Sequence, residues 1–404
     1  MRILNIGFKN PNEFIDKLVN IWLTNHASDI HITPWREKIL IKFRIWGELR
    51  SIYTFSSELY SKFLNAVKVR SWMDISEHNH VQDWKIFLDL DIKWKITWVN
   101  IRVSSLPVVH WENIVMRILL SESEYLNLDT LWFSKKNTEL LNNIEELNEW
   151  LILVSWWTWS WKTTTIYSLL NIFDKNKVWI FTLEDPIEYQ VDWYVQSQIN
   201  NVRWSWDSTH SYTFEEWLIW ILRQDPDIIM IWELRRDNEA KTCFEAANTW
   251  HLVFWTIHSN NAVSVITRVR QFWIESYLIA SWLKYIISQK INKTLCPHCR
   301  VKKTMNKSDF SGKVQQFIPL ETLDVYEANL KWCTKCTNWF SWIALLWEII
   351  NVDDKIYELL LNNTWESELK EHLFSNWFIP YYIDAINKSV NGMIDINDAL
   401  ELEY

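Results

Sequence analysis

Glycine is almost absent from this chain, and this limits every tight turn the chain can make. The sequence of 404 residues contains 4 glycines, where an average composition of about 7% predicts about 28. It contains 31 tryptophans, and together the two residue types come close to the expected glycine number. Glycine alone adopts positive φ without steric cost, so the literal sequence has few residues suited to sharp turns.

Tryptophan occupies the positions where turns need glycine. It stands beside turn-forming residues in "TWSW" (158–161), "VDWYV" (191–195), "VRWSWDST" (202–209) and "CTNWFSW" (336–342). We hypothesise that most tryptophan letters stand for glycine, in a genetic code that reads UGA as glycine. The alternative is a genuinely tryptophan-rich chain that stacks on sugars or bases. We favour the first, because chance enrichment would not select turns and loops.

Composition and charge exclude several classes of protein. A net charge of −9 argues against a general nucleic-acid coat, so we expect no direct nucleic-acid partner. No apolar run approaches the roughly 20 residues that span a bilayer. The start, "MRILNIGFKNPNEFIDKL", lacks the apolar core and cleavage site of a signal peptide. These features predict a cytoplasmic protein.

The apolar pattern predicts an α/β protein of several domains. Residues 1–128 mix alternating and amphipathic stretches, which is typical of a small α+β domain. Then strand-like runs alternate with helical patterns: "EWLILVS" (149–155), "KVWIFTLE" (177–184), "DIIMIWE" (227–233) and "HLVFWTIH" (251–258). This alternation predicts βαβ units and a parallel sheet. The predicted domains are 1–128, a core at 129–290, a cysteine segment at 291–350 and a helical region at 351–404.

A phosphate-binding loop emerges when tryptophan is replaced by glycine. "WWTWSWKT" (156–163) then fits G-x-x-x-x-G-K-[ST], between a predicted strand and a predicted helix. The backbone of such a loop wraps the β-phosphate, so indoles at 156, 159 and 161 would fill the space of the phosphates. Lys162 offers charge to the β/γ-phosphates and Thr163 a hydroxyl to Mg²⁺. The predicted nucleotide-binding residues are Ser155, Trp156, Trp157, Thr158, Trp159, Ser160, Trp161, Lys162, Thr163 and Thr164.

Acids and histidines follow the later strands. Glu233 ends one apolar strand, and Glu184 with Asp185 ends another, where carboxylates can organise Mg²⁺ or the attacking water. His251 and His258 flank a strand seven residues apart. This odd separation favours positions at strand ends over a metal pair. "TFEEW" (213–217) has capping-box spacing, which predicts a helix that runs towards Arg223.

Four of the five cysteines form two C-x-x-C pairs. Cys296, Cys299, Cys333 and Cys336 can present four thiolates to one tetrahedral Zn²⁺. The gap between the pairs exceeds that of common zinc ribbons, and a folded insertion can span it. We expect Cys243 to be a core residue and His298 to be exposed beside the pairs.

The sequence resembles the ATPases of type II secretion and type IV pilus assembly. With W replaced by G, four stretches resemble this family's Walker A, Asp box, Walker B and His box: "ILVSWWTWSWKTTT", "FTLEDPIEY", "LRQDPDIIMIWELR" and "TWHLVFWTIHSNNA". "ASDIHITP" (27–34), "QDW" (82–84) and "NIRVSSLPVVHWENIVMRIL" (100–119) resemble its N-terminal domain. The resemblance runs from about residue 18 to the end. It implies a RecA-like core preceded by a PAS-like domain.

The resemblance also implies residue roles. Glu233 and Glu184 would position the attacking water, with Asp185 in the same acidic box, and His251 and His258 would contact the γ-phosphate region. The arginines implied at the nucleotide are Arg102 and Arg117 of the N-terminal domain, together with Arg203 and Arg223 of the core. The resemblance further implies a homohexamer that hydrolyses ATP with Mg²⁺. This hexamer would associate peripherally with the inner membrane and push or turn a platform protein there.

The chain departs from the family pattern after Glu233. "LRRDNEA" (234–240) places Arg236 and Asn238 where the family has acids, and Gln289-Lys290 replaces its Gln-Arg. The tetracysteine element is typical of assembly-type members, so it favours pilus or pseudopilus assembly over retraction. A non-hydrolysing scaffold protein is the remaining alternative, if the tryptophans are genuine.

Overall fold

The computed structural model divides the chain into two compact units, Met1–Ser123 and a second comprising Glu124–Ile187 and Val191–Tyr404. The residues it describes are 4–5, 8–24, 27–45, 48–92, 95–120, 128–141, 143–156, 162–185, 187, 191–199, 214–232, 237–329, 331, 333, 336, 340–364, 366–376 and 378–403.

The first unit is an α+β domain with one seven-stranded sheet. Its elements are β1 (Leu4–Asn5), α1 (Pro11–Thr24), β2 (Ala27–Pro34), β3 (Lys38–Ile45), β4 (Glu48–Ser56), α2 (Tyr60–Arg70), β5 (Gln82–Ile92), β6 (Lys95–Pro107) and β7 (Glu112–Leu120). The strand order is β1-β4-β3-β2-β7-β6-β5, antiparallel except for β1 with β4. Alternate residues of β3 are buried, as its alternating sequence predicts, and the apolar face of α1 packs into the same core.

The second unit is built on a mixed sheet rich in parallel pairs. Its elements are α3 (Lys135–Leu141), β8 (Trp150–Trp156), α4 (Lys162–Leu170), β9 (Ile180–Glu184), β10 (Tyr194–Gln198), α5 (Phe214–Leu222), β11 (Ile228–Ile231), α6 (Asp237–Ala247), β12 (Leu252–His258), α7 (Ala262–Arg270), α8 (Ser276–Trp282), β13 (Leu283–Leu295), β14 (Val301–Asn306), α9 (Gly312–Gln315), β15 (Thr322–Glu327), β16 (Phe340–Asn351), α10 (Asp354–Leu361), α11 (Glu366–Ser375), α12 (Tyr381–Val390) and α13 (Ile396–Glu401). Short 3₁₀ helices span Ser57–Leu59 in the first unit and Leu128–Leu131, Ile144–Glu146 and Lys307–Asp309 in the second.

The order of the second sheet is β10-β9-β11-β12-β8-β13-β16, and all neighbours are parallel except β13 with β16. The strands β8, β9 and β11 are buried along almost their whole length, as near-continuous apolar runs in a covered parallel sheet must be. The predicted parallel sheet is therefore confirmed. The edge strand β16 returns to this sheet from the cysteine segment, so the two strands that frame that segment, β13 and β16, belong to the core sheet.

Tryptophan dominates the residues with left-handed backbone conformation. In the described ranges, nine non-glycine residues have positive φ, and all but Asp225 and Asn363 are tryptophans: Trp72, Trp111, Trp132, Trp150, Trp193, Trp250 and Trp273. Such a conformation costs an L-residue about 1–2 kcal/mol, and short polar residues tolerate it better than bulky ones. An indole is therefore the least expected side chain at these positions.

Trp72 illustrates the local reason for this conformation. It follows α2 and its C-cap Ser71, and the N–H of Met73 donates to the carbonyl of Lys68 at 2.9 Å. This closing bond belongs to the helix-ending motif in which glycine is usual at the left-handed position. The side chain of Trp72 is 83% exposed, so no packing compensates for the strain.

Candidate functional site

The strand and helix of the predicted phosphate loop lie where the sequence predicts them. Strand β8 ends at Trp156, and α4 begins at Lys162. Residues 157–161 and the side chain of Lys162 lie outside the described part. Ser155 and Thr163 are buried on either side of this gap, and the predicted strand before it and helix after it are confirmed.

Trp156 lies where three strands end. Its ring centroid is 6.0 Å from that of Trp232, the residue after β11, and 5.9 Å from that of His258, the last residue of β12. Trp156 is 4% exposed. These positions form the carboxyl edge of the parallel strands, where open α/β sheets bind their ligands.

Glu184 reaches the same edge at the end of β9. It is buried, and its Oε1 accepts hydrogen bonds from the hydroxyls of Tyr167 and Thr182, both at 2.7 Å, and from the amide of Gln196 at 3.1 Å. These donors fix the orientation of the carboxylate. Asp185, the next residue, is exposed.

The two histidines lie at opposite ends of β12. His258 ends the strand beside Trp156, whereas His251 precedes it and contacts the carbonyl of Ala246 at 3.2 Å and the hydroxyl of Thr249 at 3.0 Å. Seven residues of extended strand separate the two by about 23 Å. Their predicted position at strand ends is confirmed. Of the two, His258 lies at the edge of Trp156. The implied contact of both histidines with the γ-phosphate region stays a prediction.

The arginines Arg102 and Arg117 are directly opposite each other on β6 and β7 of the first unit. Arg102 Nε donates to Asp83 at 3.0 Å, and Arg117 Nε donates to the buried Asp29 at 2.8 Å. Both acids belong to the quoted motifs "QDW" and "ASDIHITP", although their role as anchors was not predicted. They hold the guanidinium groups in fixed orientations. One row across five strands contains Arg44, Asp29, Arg117, Arg102 and Lys85.

Of the remaining predicted site residues, the structure describes Arg223 but not Glu233 or Arg203. Arg223 is exposed just after α5, with its guanidinium 4.8 Å from the ring centroid of Trp220. Helix α5 starts at Phe214, so the predicted helix that runs towards Arg223 is confirmed. Glu233 and Arg203 lie outside the described residues. Of the two departures from the family pattern after Glu233, Arg236 also lies outside them, whereas Asn238 lies in the first turn of α6.

The four cysteines of the C-x-x-C pairs form one cluster. Their sulfur atoms all lie within 4.8 Å of one another. The Sγ–Sγ distances are 3.8 Å for Cys296–Cys333 and 3.7 Å for Cys299–Cys336 and Cys333–Cys336. A tetrahedral zinc with Zn–S bonds of about 2.3 Å requires sulfur separations of about 3.8 Å. The cluster therefore fits Zn²⁺.

The surroundings of the cluster disfavour free thiolates. Desolvation raises the pKa of the Cys299 thiol to about 12, and hydrogen bonds with the neighbouring cysteine side chains add to the rise. A bound dication would supply the charge that stabilises the thiolates. Cys243 is buried in the core of the second unit, as predicted.

A buried strand followed by a helix that begins with Lys-Thr, at the carboxyl edge of a parallel sheet, is the arrangement that frames the phosphate loop of P-loop nucleotide hydrolases. The family model of the "Type II/IV secretion system protein" matches residues 7–401. The chain belongs to this family, and it is an ATP-hydrolysing P-loop enzyme of secretion or pilus machinery.

The relatives agree with this assignment. The chain is 34% identical over 367 residues to the type II secretion system ATPase E of Vibrio cholerae, covering 89% of this chain and 69% of that protein. It is 30% identical over 393 residues to the type II secretion system protein E of Aeromonas hydrophila, covering 96% and 75%.

Solved structures show the same fold. The structure of the ATPase DotB of Yersinia pseudotuberculosis matches with a TM-score of 0.65 at 20% identity, covering 100% of this chain and 98% of that one. The pilus retraction motor PilT with bound ADP matches with a TM-score of 0.61 at 20% identity, covering 96% of both chains. Among the helices that the structure describes, none is long and apolar enough to cross a membrane.

Proposed function

We propose that this chain acts as a cytoplasmic homohexamer whose ATP hydrolysis drives the assembly of a type IV pilus or a type II secretion pseudopilus. It would associate peripherally with the inner face of the cytoplasmic membrane through a platform protein. The cysteine cluster is the observation that favours assembly over retraction, because its sulfur spacing fits the zinc element typical of assembly-type members. Deleting the gene should abolish the fibres. Longer or more numerous fibres would instead identify a retraction motor.

The second part of the proposal concerns the tryptophans. Most of them stand for glycine, so that the phosphate loop has a bare backbone at 156, 159 and 161. The seven tryptophans with positive φ support this, because glycine alone adopts that conformation at no steric cost. We call the protein with glycine at 156, 159 and 161 the glycine form.

The site residues take the following roles in the proposal. Lys162 would bind the β/γ-phosphates and Thr163 the Mg²⁺ ion that accompanies ATP. Glu233 would activate the attacking water, aided by Glu184 and Asp185, and His258 would contact the γ-phosphate region. The arginines proposed to neutralise charge on the transferred phosphoryl group are Arg102, Arg117, Arg203 and Arg223.

The domain assignment completes the proposal. A PAS-like domain at 1–128 would supply arginines to the nucleotide, a RecA-like core at 129–290 would hydrolyse it, and a segment at 291–350 would bind Zn²⁺. Helices of 351–404 would close the chain. ATP-driven changes in the orientation of the two lobes would then move the platform protein.

Substitution of Glu233 tests the proposed reaction directly. In the glycine form, Glu233→Gln should reduce kcat for ATP about 100-fold or more, since a positioned base contributes about 10²–10⁴-fold. Phosphate release measures this. The matched control is Glu245→Gln on the exposed side of α6, which should leave turnover unchanged. Equal turnover in Glu233→Gln and Glu245→Gln would refute the role of Glu233.

A further inference from the structure

Two neighbouring residues of β13 hold both sides of the phosphate loop. The hydroxyl of Ser288 lies 2.6 Å from that of Ser155, which precedes the loop on β8. The side-chain carbonyl of Gln289 accepts a hydrogen bond from the hydroxyl of Thr165 on α4 at 2.6 Å. The side chains of successive strand residues point to opposite faces of the sheet. Ser288 therefore contacts β8 on one face, and Gln289 contacts α4 on the other.

The contact at Ser288 continues into the C-terminal region. The phenol of Tyr381 donates to the Ser288 hydroxyl at 2.6 Å, and the backbone N–H of Tyr381 donates to Glu348 Oε1 at 3.0 Å. Glu348 lies directly opposite Ser288 in the β13–β16 pair, as Ser288 does opposite Ser155. The side chains of all four residues are buried. A continuous hydrogen-bonded row therefore crosses the sheet immediately before the loop.

The second oxygen of Glu348 reaches the segment that follows His258. Glu348 Oε2 accepts a hydrogen bond from the N–H of Ala262, the first residue of α7, at 2.9 Å. Since Tyr381 is the first residue of α12, one carboxylate holds the N-termini of two helices, which carry partial positive charge. The N-termini of α7 and α12 thus both depend on a single buried acid.

We propose that Glu348, Tyr381 and Ser288 are positioning residues for ATP hydrolysis, which fix the strand before the phosphate loop relative to the segment after His258. The proposal rests on the ATPase reaction proposed above. Nucleotide binding is spread over many contacts, whereas turnover needs the reacting groups aligned, and a misplacement of about 1 Å can reduce it about 100-fold. Loss of the row should therefore lower kcat and leave KM nearly unchanged.

The charge of Glu348 gives the row a pH dependence. Burial raises the pKa of Glu348 to about 7, opposed by the hydrogen bonds from Ala262 and Tyr381 and by the charge of Lys290. Asp384 of α12, which pairs with Lys388, adds to the rise. A carboxylate accepts from both helix N-termini, while the protonated acid loses one acceptor. As pH falls through about 7, protonation of Glu348 therefore weakens one of its two contacts with the helix N-termini.

Conservative variants of the glycine form test the proposal. Tyr381→Phe and Ser288→Ala should each lower kcat about tenfold, with KM for ATP changed less than about twofold. The double variant should be no slower than the slower single variant, because both changes remove one shared hydrogen bond. Ser288→Thr, which restores the hydroxyl, should recover most of the rate. The control is Tyr382→Phe, next along α12, which should leave kcat unchanged.

The pH profile separates positioning from folding. In the parent, kcat should rise as pH increases through about 7, and Glu348→Gln should remove that rise. Thermal melts check that each variant is folded. Unchanged kcat in folded Tyr381→Phe and Ser288→Ala, or losses that multiply in the double variant, would overturn this proposal alone. A parent that does not hydrolyse ATP would overturn the proposed function and this inference with it.

Discussion

The proposed phosphate loop and the cysteine cluster differ in which part of the chain would contact the ligand, the backbone in the loop and the side chains in the cluster. The cluster would bind Zn²⁺ through side chains, and its four cysteines are the same whether UGA is read as tryptophan or as glycine. The proposed phosphate loop would bind through backbone N–H groups, so bulky side chains there would only obstruct the phosphates. If tryptophan stands for glycine as proposed, the printed sequence obscures the loop motif and leaves the cysteine motif unchanged. Sites built from bare backbone are the ones most easily lost when a sequence is misread.

The largest expected effect is at the loop itself. The form with tryptophan at 156, 159 and 161 should lose ATP turnover by about 1,000-fold or more relative to the glycine form. The reason is that removing even one donor that faces developing charge costs about 10²–10³-fold. Phosphate release measures the difference. The same exchange at Trp179, 61% exposed before β9, is the control and should not change turnover. Equal turnover in the two loop forms would remove the distinction between the two regions.

The cluster should depend on its metal as strongly as the loop depends on its backbone. Fresh protein should contain one zinc per chain, and Cys333→Ser should lose the metal and lower the melting temperature, because structural zinc binding contributes directly to folding. Metal analysis and thermal melts provide the measurements. Cys243→Ala, which removes the cysteine outside the cluster, should retain the zinc. Zinc-free fresh protein would contradict the assignment.

Two tryptophans should be genuine, because the fold uses their indoles. Trp22 donates from Nε1 to the carbonyl of Ala27 at 2.6 Å, and Trp347 donates to that of Leu131 at 2.9 Å. Both are fully buried. Replacing either with alanine should reduce the free energy of unfolding by about 3–5 kcal/mol, measured by denaturant titration. A loss below about 1 kcal/mol would show that the indole is dispensable.

The smallest expected effect is at the exposed turns. In protein made with tryptophan at every position where the sequence prints it, Trp250→Gly should raise the free energy of unfolding by about 1 kcal/mol. The reason is that Trp250 has a φ of 66° and is 81% exposed. The matched control is Trp220→Gly, at an exposed position within α5, which should lower the free energy of unfolding by about 1 kcal/mol. The same sign at both positions would contradict the backbone argument. Chemical denaturation compares the two variants.

Local patterns predicted much of the fold and of the site. The parallel sheet, the start of α4 and the end of β9 follow from apolar runs and from the residues that bound them. The side-chain anchors could not be predicted in this way. Arg117 meets Asp29 across 88 residues, and Ser288 meets Ser155 across 133, so each contact exists only once the strand order is fixed. Which of His251 and His258 lies at the carboxyl edge of the sheet likewise depends on the direction in which β12 runs.

Mass-spectrometric sequencing of the protein purified from its natural source tests the central claim most directly. The claim predicts residue masses of glycine at 156, 159 and 161, ahead of Lys162. Residue masses of tryptophan at these three positions would contradict it.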